Sequence, residues 1–132
     1  MITITIHEGP ISPATHEYTD AGAVICFEGV VRPTEDGRPI EALDYEVYEP
    51  MAQTTLSQIA EQTRSRFGVL AIDVAHSRGR VPVGQCSFRL VIAGKHRKES
   101  LAAMDHYIDR LKQDAPIWKT PVYLTQDAEA KP

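Results

Sequence analysis

Lys112 and Lys119 bracket the stretch "QDAPIW", which holds a helix-stopping proline and the only tryptophan of the chain. Pro116 cannot continue a helix and pushes Ala115 out of the helical region, so the chain must turn and Lys119 is free to return toward Lys112. Pro116 and Trp118 would stiffen and cover such a turn. Two ammonium groups confined in one partly apolar pocket disfavour each other's charge, which is how proteins prepare lysines for nucleophilic or proton-transfer work. The same spacing also suits two unrelated surface lysines on either side of a tryptophan that merely packs.

Positive charge gathers at two further places, Arg32 and the run "GKHRK" from Gly94 to Lys98. A helix N-terminus already carries free N–H groups and the positive end of the dipole, so Lys95, Arg97 and Lys98 are unfavourable there unless an anion binds. A solvated basic turn balanced by Glu99 is the alternative. Arg32 alone also suits a strand-end arginine paired with a surface carboxylate. His7, His16, His76 and His106 show no metal-ligand spacing, and no Walker loop, GxGxxG or GxSxG occurs. Neither a metal nor a resident cofactor is expected. Cys26 and Cys86 lie in apolar, strand-like runs without a CxxC and read as buried, reduced thiols.

The elements that position these residues follow from periodicity. Ile2, Ile4 and Ile6 alternate with threonines as in a half-buried strand, and "LDYEVY" alternates likewise. "GAVICFEGVV" (Gly22 to Val31) is continuously apolar and predicts a central strand. Ala52, Leu56, Ile59, Thr63 and Phe67 trace one face of a helix that opens after Pro50 and stops at Gly68. "VLAIDVAH" and "CSFRLVIAG" predict an antiparallel pair joined through "GRVPVG". A second helix presents Leu101, Met104, Ile108 and Leu111 and ends between Lys112 and Asp114. "PTEDGRP" (Pro33 to Pro39) predicts a mobile loop. The order of elements implies an α+β class, two main helices laid against a largely antiparallel sheet.

With 132 residues the chain suits a single domain, taken as residues 1–124, followed by a polar, loose tail at 125–132. A formal net charge of −4 disfavours general nucleic-acid binding, so any positive site must be local. No apolar run approaches the roughly 20 residues of a bilayer span. The N-terminus "MITITIHEGP" lacks the features of a secretory signal, which predicts a cytoplasmic protein.

Four ordered blocks, "GAVICFEGVVR", "LDYEVYEPMA", "GKHR" and "RLKQDAPIWK", give the chain from Gly22 to Lys119 a resemblance to the MoaE family, the large catalytic subunits of molybdopterin synthase. The resemblance implies an α/β-hammerhead-type fold and a homodimer within a heterotetramer, with one small ubiquitin-like sulfur-carrier subunit at each outer end. That partner's C-terminal Gly-Gly would carry a thiocarboxylate. The implied reaction places its sulfur on cyclic pyranopterin monophosphate to form the dithiolene of molybdopterin. Carried over by position, Lys112 and Lys119 become active-site lysines, with Arg32, His96 and Arg97 holding the substrate. Both substrate and partner tail are anionic, which would account for a concentrated cationic pocket in an acidic chain. The chain departs from the family pattern after Arg32, where "PTEDGRP" replaces an Asn-x-Gly-like element, at Ser77, and in its short end after Lys119. Two other readings follow from these features: a non-catalytic module of the same fold that retains the ubiquitin-like partner or dimerisation, and an unrelated enzyme using "GKHRK" for a phosphorylated metabolite.

Overall fold

The computed structural model describes residues 1–14 and 17–124; the tail at 125–132 and His16 lie outside the described residues. The strands are β1 (Ile2–Glu8), β2 (Ala23–Val30), β3 (Thr34–Glu35), β4 (Arg38–Val47), β5 (Ala71–Pro82), β6 (Cys86–Gly94) and β7 (Ile117–Tyr123), and the helices α1 (Met51–Phe67) and α2 (Arg97–Asp114). The sheet runs β2-β6-β5-β4-β3, with β1 added parallel to β5 and β7 antiparallel to β4. Two helices on a largely antiparallel sheet make this the expected α+β arrangement.

β5 organises the sheet because it is buried from Ala71 to Ser77. Its first part lies between β6 and β1, whereas Gly79 to Pro82 pair with β4. Gly79 stands at this exchange of partners with φ of 81°, a left-handed conformation that glycine adopts without steric cost. β5 continues to Pro82, so "GRVP" is strand and the turn is confined to the residues before Cys86.

α1 buries Ala52, Leu56, Ile59, Ala60 and Thr63 and ends at Gly68, whose left-handed φ of 70° lets its N–H reach the Arg64 carbonyl. α2 is rotated from the predicted face: Ser100, Ala103, Met104 and Tyr107 are buried and Leu101 is exposed. Tyr107 sets the rotation, since its ring is fully buried in the main core and its hydroxyl donates to the Leu56 carbonyl at 3.1 Å. Burying a ring of that size contributes roughly 1.5–3 kcal/mol. Ile59, Val74, Leu90 and Ile92 complete this core, and Val31, Ile40, Leu43 and Val81 form a smaller cluster beneath β3 and β7.

Other expectations change with the tertiary context. β2 pairs only with β6 among the described residues, so it is an edge and not a central strand, with Val24, Phe27 and Val30 exposed. Its apolar outer positions are uncovered in one protomer. Cys26 is accordingly exposed and Cys86 half-buried, both free thiols whose pKa values are raised chiefly by desolvation, which keeps them protonated. "PTEDGRP" is a hairpin: Thr34 and Glu35 pair with Pro39 and Arg38 across a turn in which Asp36 and Gly37 have φ of 53° and 75°. No helix among the described residues is long and apolar enough to cross a membrane.

Gly22 joins the fold to the basic run. Its N–H donates to the Gly94 carbonyl at 3.0 Å, and a Cβ at this position would overlap the Lys95 carbonyl oxygen. Gly22→Ala should therefore force the β6–α2 junction outward and destabilise the protein by about 1–3 kcal/mol, read as a lowered midpoint of thermal unfolding.

Candidate functional site

α2 ends where Pro116 requires it to. Ala115 takes an extended conformation with ψ of 130° while its N–H still closes on the Leu111 carbonyl. Ile117 then donates to the Ala115 carbonyl at 2.8 Å, and the chain runs back as β7. Lys119 stands opposite Tyr45 in the β4–β7 ladder, and residues opposed across a ladder project from one face. The last turn of α2 carries Lys112 to the same place. Arg32 arrives from the other side, at the end of β2, where Val31 is pinned by hydrogen bonds with Gln85 and Gly84.

These three cations line one cavity of about 480 Å³ walled by Phe27, Val30, Ile108, Leu111, Ile117 and Trp118. The bracketing of proline and tryptophan by two lysines thus has a structural basis: Pro116 starts the return and Trp118 walls the space into which both lysines open. Glu35 joins the two lysines, and its Oε2 lies 3.0 Å from Lys119 Nζ. Among the described residues Glu35 is the one acid lining the cavity, so its charged groups are three cations and one carboxylate. Such a space suits an anionic ligand, with orientation supplied by fixed donors and selectivity by apolar walls.

Sequence reasoning passed over the polar groups at the cavity interior. Tyr45 donates its hydroxyl to Ser87 Oγ at 2.9 Å, and the His76 ring stands edge-on to Tyr45 with centroids 5.3 Å apart and near Phe88 at 5.8 Å. His76 Nδ1 lies 2.8 Å from the Ser77 carbonyl oxygen. A carbonyl only accepts, so Nδ1 carries the proton and Nε2 is left as the acceptor. Burial lowers the His76 pKa, partly opposed by that hydrogen bond, and the ring is neutral at physiological pH. The alternation of β5 placed His76 on a strand; only the cross-strand neighbours reveal that it meets the cavity.

His96 and Arg97 are elsewhere. His96 caps α2 in an extended conformation without a side-chain capping bond, and with Gly22, Lys95, Arg97 and Lys98 it lines a separate, shallower depression. Arg97 begins α2 and Lys112 is near its end, so about 22 Å of helix at 1.5 Å per residue separates the two groups. One protomer brings together Arg32, Lys112 and Lys119, and does not bring His96 and Arg97 to them. Among the described residues no group of three His, Cys, Asp or Glu side chains is placed to hold a metal ion.

A family model described as MoaE protein matches residues 6–114. A Nostoc protein named molybdopterin synthase catalytic subunit is 46% identical over 99 residues, 74% of this chain and 60% of that relative. The chain thus spans less than two thirds of that relative's length. Among solved structures, molybdopterin synthase from Staphylococcus aureus superposes with a TM-score of 0.78 at 28% identity, covering 89% of this chain and 91% of the other. A complex of subunits 1 and 2 of molybdopterin-converting factor from Helicobacter pylori gives 0.73 at 29% identity, covering 93% and 90%.

His76 links the cavity to acid stability. Its pKa is lowered on folding, so below the unfolded value of about 6.5 the unfolded chain binds the proton more readily and stability falls as pH falls. The thermal midpoint should drop between about pH 7.5 and about pH 5.5, and His76→Gln, which cannot gain the charge, should show a shallower drop in circular dichroism melts.

Proposed function

The chain belongs to the MoaE protein family, and from that premise we propose that it is the catalytic subunit of a molybdopterin synthase. It takes sulfur from the C-terminal thiocarboxylate of a small ubiquitin-like subunit and places it on cyclic pyranopterin monophosphate to make the dithiolene of molybdopterin. Residues 1–124 form the catalytic domain, and the protein works in the cytoplasm. The observation that carries this reading is the convergence of Arg32, Lys112 and Lys119 in one apolar-walled cavity. The two-subunit Helicobacter pylori complex supports a small partner here as well.

In this reading the partner's Gly-Gly tail enters the cavity, where residues without side chains let the backbone approach the lysines closely. Lys112 and Lys119 orient the thiocarboxylate beside the pterin carbon. Sulfur bonds to that carbon as a carbon–oxygen bond there breaks and the oxygen leaves with a proton. Water then adds to the acyl carbon, the two ammonium groups stabilise the negative charge that develops on the acyl oxygen, and the acyl–sulfur bond breaks to leave sulfur on the pterin and a carboxylate tail. Arg32 holds the substrate phosphate. His96 and Arg97 belong to the same substrate site through the homodimer: a second copy brings its basic pair to a cavity that the length of α2 denies to its own. The exposed apolar edge of β2, with Val24 and Phe27, is the surface we assign to that contact. One small subunit per protomer completes a heterotetramer.

The test is formation of molybdopterin, read as its fluorescent oxidised derivative, from the purified protein, thiocarboxylated small subunit and cyclic pyranopterin monophosphate. Lys112→Ala should lower the rate by at least about 100-fold, the scale for losing a group that stabilises developing charge, with the small subunit still bound. A wild-type protein that binds the partner but forms no product would instead be a binding module.

A further inference from the structure

The ion pair between Glu35 and Lys119 is not required by the fold. Lys119 is held by its backbone in the β4–β7 ladder, and its side chain is 51% exposed, so neither packing nor desolvation demands a counter-ion. Glu35 is different. Its side chain is only 15% exposed and stands on the two-residue strand β3, locked by pairing with Arg38 and by the Ile40 N–H to Pro33 carbonyl bond at 3.0 Å. A fixed carboxylate therefore faces a half-exposed ammonium inside a cavity that also holds Arg32 and Lys112.

We propose that Glu35 is a displaceable counter-ion that tunes the release of the spent carboxylate tail. The inference rests on the sulfur-transfer reading, and deepens it. Thiocarboxylate and carboxylate tails both carry one negative charge, so a cavity with three uncompensated cations would hold the product as firmly as the reactant. Turnover then stalls at release. Glu35 competes for Lys119 with either tail, lowers the affinity for both, and re-forms its pair as the product departs. It touches neither reacting atom and acts through Lys119, as a positioning residue.

The direction of the expected effect separates this role from a structural one. Trp118, the only tryptophan, lines the cavity and reports binding by its fluorescence. Titration with the small subunit in its carboxylate form should show Glu35→Gln binding about two- to fivefold more tightly than wild type, the range a partly exposed ion pair supports. The gain should shrink as salt is raised and vanish in a Lys119→Gln background. Multiple-turnover product formation should slow by a similar factor, and by more than any change in the single-turnover rate. Equal or weaker binding by Glu35→Gln, or a gain that survives Lys119→Gln, would overturn the proposal. If Glu35→Gln melts at a lower temperature, Glu35→Asp serves as the second variant: its shortened carboxylate should give the same sign of change with a smaller size, and the opposite sign would overturn the proposal. A wild-type protein that binds carboxylate and C-terminally amidated small subunit alike would instead overturn the sulfur-transfer reading, and this role with it.

Discussion

The antiparallel ladder between β4 and β7 is the constraint on which the cavity depends. From Val47 opposite Ile117 to Ile40 opposite Tyr123, it turns the segment after α2 back across the sheet, with Lys119 opposite Tyr45. Without it Lys119 would follow a frayed helix end into solvent. The ladder in turn needs α2 to stop abruptly, which Pro116 ensures by denying Ala115 the helical conformation. β4 itself is held from its other side by β5, at the heart of the sheet. The position of one ammonium group is thus referred to the central strand of the sheet.

α2 has a second consequence, because its length separates two basic groups that an anionic ligand of any size would want together. Arg97 and Lys98 open the helix and Lys112 closes it, with Tyr107 anchoring the middle against α1. A rigid helix makes this separation permanent within one protomer. The chain has a net charge of −4, and several of its surface arginines are paired, Arg78 with Glu8 and Glu49 and Arg80 with Asp44 among them. Basic side chains also line the depressions at the two ends of α2. Steering of an anionic tail toward one end, over a surface of the same sign as the tail, favours entry at the cavity over adhesion elsewhere. The proposed homodimer follows from the same geometry, since a second copy is the simplest source of the missing basic pair.

Much of this was legible in the residues. The alternations of β1, β5 and β6, the Gly68 stop and the end of α2 before Pro116 are local signals, and each element formed where its period placed it. β7 was not legible: Lys119, Thr120 and Pro121 interrupt any apolar alternation, and the strand exists because β4 offers it partners distant in sequence. The "PTEDGRP" hairpin has turn chemistry that reads as a loop until the pairing of Glu35 with Arg38 is seen. β2 looked central because its apolar run is continuous, yet its outer positions are uncovered in the protomer. Lys112, Lys119 and Arg32 stood out by charge beside apolar or helix-breaking residues, with surface roles left open, and all three line one cavity. Glu35 and His76 were not, since a loop acid and a strand histidine carry no sign of which cavity they meet.

The central claim is that the cavity gathered by the β4–β7 ladder receives the anionic tail of a partner protein. Selective carbon-13 labelling of lysine, read by two-dimensional NMR during titration with the carboxylate form of the small subunit, tests it most directly. The account predicts that the side-chain resonances of Lys112 and Lys119 move together as the complex saturates. Saturation of the complex with both Lys112 and Lys119 unmoved would contradict it.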